Sequence, residues 1–141
     1  MKKVEFDLDV YTFQIDFANH VSNIVYIQWM EMGRTKLLEA VGLPIEQLTA
    51  AGIAPVLART EIAYKEPLYL GDRVRVEVWV LELRRASAEI GFRFYKDDNV
   101  LAASGTQKGL FIRLDTKAPY RMGPEMRARF LPYLNDIGSA S

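Results

Sequence analysis

At 141 residues, 50% of them hydrophobic, the chain has apolar surface for one core and no length for a second, so residues 1–141 are expected to form a single domain. Eighteen basic residues balance eighteen acidic ones, and no global field draws the protein to nucleic acid or an anionic membrane. With no Cys there is no disulfide, thiolate nucleophile or thiolate metal site, and with His20 as the one histidine there is no His-cluster metal centre.

The first residues carry Lys2 and Lys3, but acidic side chains follow before any apolar run, unlike a secretory signal. No stretch reaches the roughly 18 uncharged apolar residues that span a bilayer, and a cytoplasmic location is the default expectation. Val4, Phe6, Leu8 and Val10 alternate with Glu5, Asp7 and Asp9, the period of a strand with one wet face. Tyr11, Phe13 and Ile15 then carry the bulk on the opposite parity, which predicts a bulge or twist near Val10.

From Asn23 to Val41 the period becomes helical, with Ile27, Met30, Leu37, Leu38 and Val41 apolar and Gln28, Glu31, Arg34, Thr35 and Glu39 between them. Gly42 and Pro44 end this segment, which would be roughly 28 Å long. A short helical stretch is expected at Ile45 to Ala51, closed by Gly52. Strands follow: Pro55 to Tyr64, then Val74, Val76, Val78 and Val80 alternating with polar or aromatic neighbours, then Ala86 to Tyr95 with Ala88, Ile90, Phe92 and Phe94 on one face. Lys96-Asp97-Asp98-Asn99 reads as a hairpin turn, and Val100 to Leu114 completes the meander. The small residues Ala102, Ala103, Ser104, Gly105 and Gly109 leave room for close packing, and Pro124 to Phe130 reads as a short helix. One strand, a long helix and four antiparallel strands define an α+β protein whose curved sheet wraps a central helix. Its open sheet edges predict a homodimer or a higher homo-oligomer such as a tetramer.

The segment Asp16-Phe-Ala-Asn-His-Val-Ser-Asn23 places a carboxylate and a polar turn just before the long helix. A helix start carries backbone N–H groups without intrahelical acceptors, and these can hold a developing anion. Asp16 beside them is a candidate acid, base or nucleophile. Asp16 can equally cap the turn, Ser22 or Asn23 can be the helix cap, and His20 can be a structural hydrogen bonder. Tyr26 and Trp29 are candidates for a pocket lining or for plain core, and Glu31 and Arg34 for a structural pair. No Gly-x-Ser-x-Gly elbow, phosphate-cradling Gly loop or metal-ligand spacing is present, and no cofactor is expected.

Asp16, the His20-Val21-Ser22-Asn23 turn, Tyr26, Glu31 and Arg34, together with Tyr64-Lys65-Glu66-Pro67 and Leu70-Gly71-Asp72-Arg73-Val74, resemble the hotdog-fold thioesterases of the 4-hydroxybenzoyl-CoA thioesterase family. Three positions depart from that pattern. Gln14 stands where an acidic residue is frequent, and Asn19 replaces the usual turn Gly, a substitution that Asn's tolerance of positive φ accommodates. Gly33 stands where Ala is common, which implies tight helix-on-sheet packing.

The resemblance implies hydrolysis of an acyl-CoA or acyl-carrier-protein thioester, with Asp16 as nucleophile or general base and the Asn23 backbone amide as oxyanion donor. It further implies substrate contacts from His20, Val21, Ser22 and Tyr26 of one subunit and from Arg59 and Thr60 of the partner strand. Arg59 reads equally as a surface ion-pair residue. Arg84, Arg85, Lys108, Arg113 and Lys117 are candidate contacts to coenzyme A phosphates or to an acidic carrier protein. A non-hydrolytic acyl-thioester binding module and a hotdog dehydratase are the alternatives on the same fold.

Overall fold

A computed structural model describes residues 2–97 and 99–135, and in it the first alternating run forms strand β1 (Val4–Asp9). The bulge expected near Val10 is absent. The chain instead leaves β1 for a 3-10 turn at Thr12–Gln14, where the Gln14 side chain accepts the Tyr11 N–H at 2.8 Å. Tyr11 and Phe13 therefore stack on each other, 5.9 Å apart and exposed, rather than continuing a strand.

Helix α1 (Asn23–Ala40) stops one residue before the expected boundary, and Gly42 follows at φ +78°. Its buried stripe is Tyr26, Trp29, Met30, Gly33 and Leu37, at spacings of three and four. Ile27 is not in that stripe, contrary to the periodic reading. It lies one residue, about 100° of rotation, from Tyr26 and is 44% exposed. Helix α2 (Ile45–Ala50) comes next and buries Leu48.

Four strands complete the sheet: β2 (Ile53–Tyr64), β3 (Arg73–Leu83), β4 (Ser87–Lys96) and β5 (Val100–Arg113). They pair antiparallel in the order β1-β3-β4-β5-β2, which leaves β1 and β2 at the edges. Register shifts at Leu57/Arg59, Val80/Glu82 and Phe94/Tyr95 mark irregularities of the kind that bend and twist a sheet. In the turn between β4 and β5, Asn99 is at φ +68° and the Val100 N–H bonds the Asp97 carbonyl. Its third residue, Asp98, lies outside the described residues, as do 1 and 136–141 of the expected domain. Helix α3 (Pro124–Phe130) begins with Pro as expected and inserts Phe130 beside Phe111, ring centroids 6.3 Å apart.

Val74, Val76, Val78 and Val80 face α1 and are fully buried. The opposite face of β3 is drier than simple alternation predicts. Glu77 is buried there between Lys3 and Arg75, and Trp79 lies over Gly91 with the Arg93 guanidinium 5.2 Å from its ring. Burial raises the Glu77 carboxyl, but hydrogen bonds from Lys3 and Arg75 outweigh it and hold the group below its usual value.

Two glycines set how closely α1 seats on the sheet. A Cβ on Gly33 would meet Val78 Cγ2 at 2.8 Å and Phe92 Cε1 at 3.0 Å, and one on Gly105 would meet the Glu61 carbonyl at 2.7 Å and Met30 Cε at 3.0 Å. Replacing Gly33 by Ala gains about 1 kcal/mol of helix propensity and pays about 1–3 kcal/mol for overpacking. A lowered midpoint in thermal unfolding of Gly33→Ala is the expected outcome; an unchanged or raised midpoint would show that the helix has slack at this point.

Candidate functional site

The segment before α1 is a hairpin-like turn held on three sides. Ile15 bridges Val21, the Asp16 N–H bonds the His20 carbonyl at 2.8 Å, and the Asn19 N–H bonds the Asp16 carbonyl at 3.0 Å. Asn19 sits at φ +65°, the left-handed conformation expected of a residue standing in for Gly. The Asp16 carboxylate itself orders the turn: Oδ1 accepts from the Ala18 N–H at 2.9 Å and the His20 N–H at 3.2 Å. Its other oxygen, Oδ2, has no hydrogen-bond partner among the described residues. Asp16 thus does cap the turn, and one oxygen is still available for chemistry.

Neighbouring backbone fixes the turn to the rest of the fold. The Val21 N–H bonds the Leu68 carbonyl at 2.8 Å, the Ser22 N–H bonds the Gln14 carbonyl at 2.9 Å, and His20 bridges Tyr69. The His20 ring packs edge-on against Tyr69, 5.1 Å between centroids, which gives it a structural contact in this turn. Tyr69 is in turn held by Asp72, whose Oδ2 accepts its N–H at 2.8 Å, and lies under the Lys96 ammonium at 5.4 Å.

Ser22 occupies the N-cap position, yet its hydroxyl does not cap the helix. The Val25 N–H turns back to the Ser22 carbonyl at 3.0 Å, while the Asn23 and Ile24 N–H groups meet no acceptor among the described residues. Two exposed backbone donors at the positive end of an 18-residue helix are therefore unclaimed.

Tyr26, one turn into α1, is 3% exposed and packs edge-on against Trp29, Tyr64 and Phe94 at centroid distances of 5.5, 5.1 and 5.5 Å. Burial first, then the nearby Tyr64 and Asp72, push its phenol well above its ordinary value, so it is a neutral O–H donor. Trp29, 1% exposed, is core.

Within one chain the other expected contacts lie apart from this turn. Arg59 is on exposed β2, about five residues or roughly 16 Å along the strand from Tyr64. It pairs with Glu89 at 2.8 Å and Glu61 at 3.6 Å, the surface ion-pair arrangement. Thr60 faces the opposite way and accepts from Gln107 Nε2 at 3.2 Å. Gln107 Oε1 accepts from Arg34 at 2.8 Å, and Arg34 is 3.6 Å from Glu31. Burial lowers the Arg34 guanidinium from its ordinary value, with Glu31 opposing.

Of the five cations considered for phosphate contacts, Arg84 and Lys108 line one polar pocket of about 260 Å³ with Arg59, Glu82, Ser87 and Glu89; Arg85, Arg113 and Lys117 do not line it. An apolar cavity of about 50 Å³ lies beneath the far half of α1, between Leu37, Leu38, Ile90, Phe111 and Phe130. Leu37 is fourteen residues from Asn23, roughly 21 Å along the axis, so this gap is separate from the turn. Asp16 is exposed in the single chain and lines neither pocket.

A long helix laid across an antiparallel sheet, with a polar turn at its start, defines the hotdog fold. Residues 10–130 match the Thioesterase-like superfamily, and the chain belongs to it. It is similar to the acyl-acyl carrier protein thioesterase ATL3 of Arabidopsis thaliana chloroplasts, 26% identical over 92% of this chain and 68% of that protein. Among solved structures it superposes on the DHNA-CoA thioesterase of Staphylococcus aureus with a TM-score of 0.86, at 18% identity over 94% of this chain and 91% of that one. A hypothetical protein of Staphylococcus aureus in complex with CoA gives a TM-score of 0.88, at 16% identity over 94% and 84% of the two chains.

The sequence reading missed Gln107, a fully buried polar residue whose signal was its inward parity on β5, and the role of Leu68 and Tyr69 in clamping the turn. The left-handed geometry at position 19 supplies a direct check. Asn19→Gly should leave stability within about 1 kcal/mol of wild type, whereas Asn19→Val should lose about 1–2 kcal/mol in urea unfolding. Equal stability of the two variants would mean the turn relaxes out of the left-handed region.

Proposed function

We propose that the protein is a thioester hydrolase that cleaves an acyl-CoA or acyl-carrier-protein thioester to a free acid and a thiol. The observation that carries this reading is the pairing, across one short turn, of a carboxylate with one free oxygen and a helix start with two free amides. Asp16 Oδ2 attacks the acyl carbon or takes a proton from water, and the Asn23 amide, with Ile24 beside it, receives the oxyanion. Membership of the Thioesterase-like superfamily supports the reaction class, and the left-handed Asn19 supports the turn architecture of the 4-hydroxybenzoyl-CoA thioesterases within it.

The reading places the complete site between two copies of the chain. β2 is a twelve-residue free edge with Val56, Leu57 and Tyr64 exposed, and Phe17, Ile24 and Ile27 are exposed around the turn and first helical turns. A second copy covering these surfaces removes water from Asp16 and brings Arg59 and Thr60 of its own β2 toward the acyl group. A homodimer, or a homotetramer built from two such dimers, is the working form. The reading places the enzyme in the cytoplasm; no described helix is long and apolar enough to cross a membrane.

Thiol release from a panel of acyl-CoA and acyl-carrier-protein thioesters tests the reaction, and sizing by light scattering tests the assembly. Asp16→Asn should preserve the fold and the oligomer and lower turnover by at least about 100-fold. Hydrolysis by that variant at the wild-type rate removes Asp16 from the chemistry. A wild-type protein that binds the panel without releasing thiol is a binding module instead.

A further inference from the structure

A void in a close-packed interior forfeits dispersion contacts on every wall, and the apolar cavity beneath the far half of α1 is not forced by the seating of the helix. Its floor is Gly109 on β5 with its cross-strand partner Ala88 on β4. Gly109 shares the parity of Gln107 and Phe111, which reach Arg34 on α1 and Phe130 on α3, so a side chain at 109 would enter the cavity. A Cβ there meets nothing closer than the Val56 carbonyl at 3.9 Å, whereas one on Gly33 or Gly105 would meet atoms at 2.8 and 2.7 Å. Gly109 is also outside the left-handed region, so neither packing nor backbone requires glycine at this position.

The size of the space selects what can fill it. An apolar cavity of roughly 150 Å³ holds a benzene ring. At about 50 Å³ this one takes the end of a linear hydrocarbon chain and excludes a ring. Within one chain the buried Trp29 and Met30 stand between it and the helix start. Edge strand β2, however, touches both places. Tyr64 at one end packs on Tyr26 near the helix start, ring centroids 5.1 Å apart, and Pro55 and Val56 near the other end line the cavity. Two copies that join through β2 about a two-fold axis run antiparallel and keep both long helices on one face of the joined sheet. Pairing over all twelve residues sets Pro55 and Val56 of one copy opposite Ile62 and Glu61 of the other, two to three residues or roughly 7–10 Å from Tyr64.

We infer that the cavity of each copy receives the hydrocarbon end of the acyl chain whose carbonyl is held at the polar turn of the other, so that the substrate is a straight-chain aliphatic thioester rather than an aromatic one. This inference rests on the thioester reading above for the reacting end of the substrate. Each methylene that enters leaves water for apolar walls and tightens binding about fourfold.

The test uses the full chain and unreactive S-alkyl thioethers of CoA, from ethyl to dodecyl, with S-benzyl-CoA beside them. Calorimetric titration of wild type should show a longer alkyl chain bound more tightly than ethyl. The ratio of the tightest alkyl affinity to the ethyl affinity should fall about fourfold in Gly109→Ala and about 10-fold or more in Gly109→Val, as one and then two methylenes are displaced. Gly109→Ala adds one methyl group in open space and keeps the measurement available if Gly109→Val does not fold. Equal affinity for all chains in wild type, or a ratio unmoved in the folded variants, overturns the inference, and so does benzyl binding that responds to Gly109 as strongly as alkyl binding. Mixed dimers read the crossing between copies. Asp16→Asn supplies a wild-type cavity and Gly109→Val a wild-type carboxylate, so co-expression should raise long-chain thiol release above the sum of the two variants alone; no gain overturns the assignment to the opposite copy. A protein that releases no thiol yet shows the Gly109-dependent ratio refutes the hydrolase reading and keeps the cavity. An active hydrolase with that ratio unmoved refutes the cavity and keeps the hydrolase.

Discussion

The close seating of α1 on the sheet is the constraint from which the other features follow. Where Gly33 meets Val78 and Phe92, and where Met30 meets Gly105, the absence of side-chain atoms lets the helix approach the β-strands closely. A helix held that near a dense layer of Val, Phe and Ala has little freedom to slide or roll, since interiors at crystal-like density transmit displacement rather than absorb it. Its first turn is thereby fixed relative to the sheet. The polar turn that precedes it is fixed too, because Leu68 and Tyr69 bind the turn while belonging to the link between β2 and β3. Preorganised amides are useful only when their direction is set before substrate arrives, and the packing of the helix sets it here.

A polar relay adds a second constraint across the same layer. Arg34 on α1 donates to Gln107 on β5, and Gln107 donates to Thr60 on edge strand β2. Such a relay is costly to bury, and apolar side chains of equal volume would hold the elements together at least as well. Its merit is directional: each hydrogen bond joins one donor to one acceptor at a fixed place, so helix, inner strand β5 and edge strand β2 are held in a single relative register. The edge strand is the element that the proposed partner subunit meets, and the helix carries the amides.

Much of this was legible in the chain itself. The helix, the four later strands and Pro124 to Phe130 were readable because each shows one dominant period or an unambiguous stop, as at Gly42 and Pro44. The residues after Val10 were misread because Tyr11, Phe13 and Ile15 alternate as a strand would, while the local competitor, a Gln14 side chain reaching back to the Tyr11 N–H, leaves no trace in hydrophobic pattern. Ile27 was assigned to the core because its type fits, although the stripe is defined by Tyr26, Trp29 and Met30; one residue of rotation separates a buried from an exposed position. The wet face expected on β3 failed for a related reason. Alternation reports parity, not what covers the second face, and Trp79 finds its cover over Gly91, a pairing set by register with another strand. At the site, Asp16, Asn19 and Asn23 were visible as a motif, whereas the clamp from Leu68 and Tyr69 is a contact between distant segments and carries no local signal.

In the proposed mechanism, the two oxygens of Asp16 let one carboxylate be both structural and reactive. Oδ1 is committed to two backbone N–H groups of its own turn, which orients the whole group; Oδ2 is left with lone pairs and no partner among the described residues. A side chain free at both oxygens would have to surrender rotamer entropy at every encounter with substrate, and one bonded at both would have nothing left to attack with. The same division recurs in the helix start. Val25 turns its N–H back to Ser22, tightening the first turn, while those of Asn23 and Ile24 meet no acceptor among the described residues. Exposure of this arrangement in an isolated chain is consistent with a site finished by assembly. Water around Asp16 and the amides weakens every interaction they could make with a thioester, and in the proposed assembly a second copy covering Phe17, Ile24 and Ile27 excludes it and strengthens them together. On that proposal, catalytic competence and burial of the exposed apolar surface have one cause.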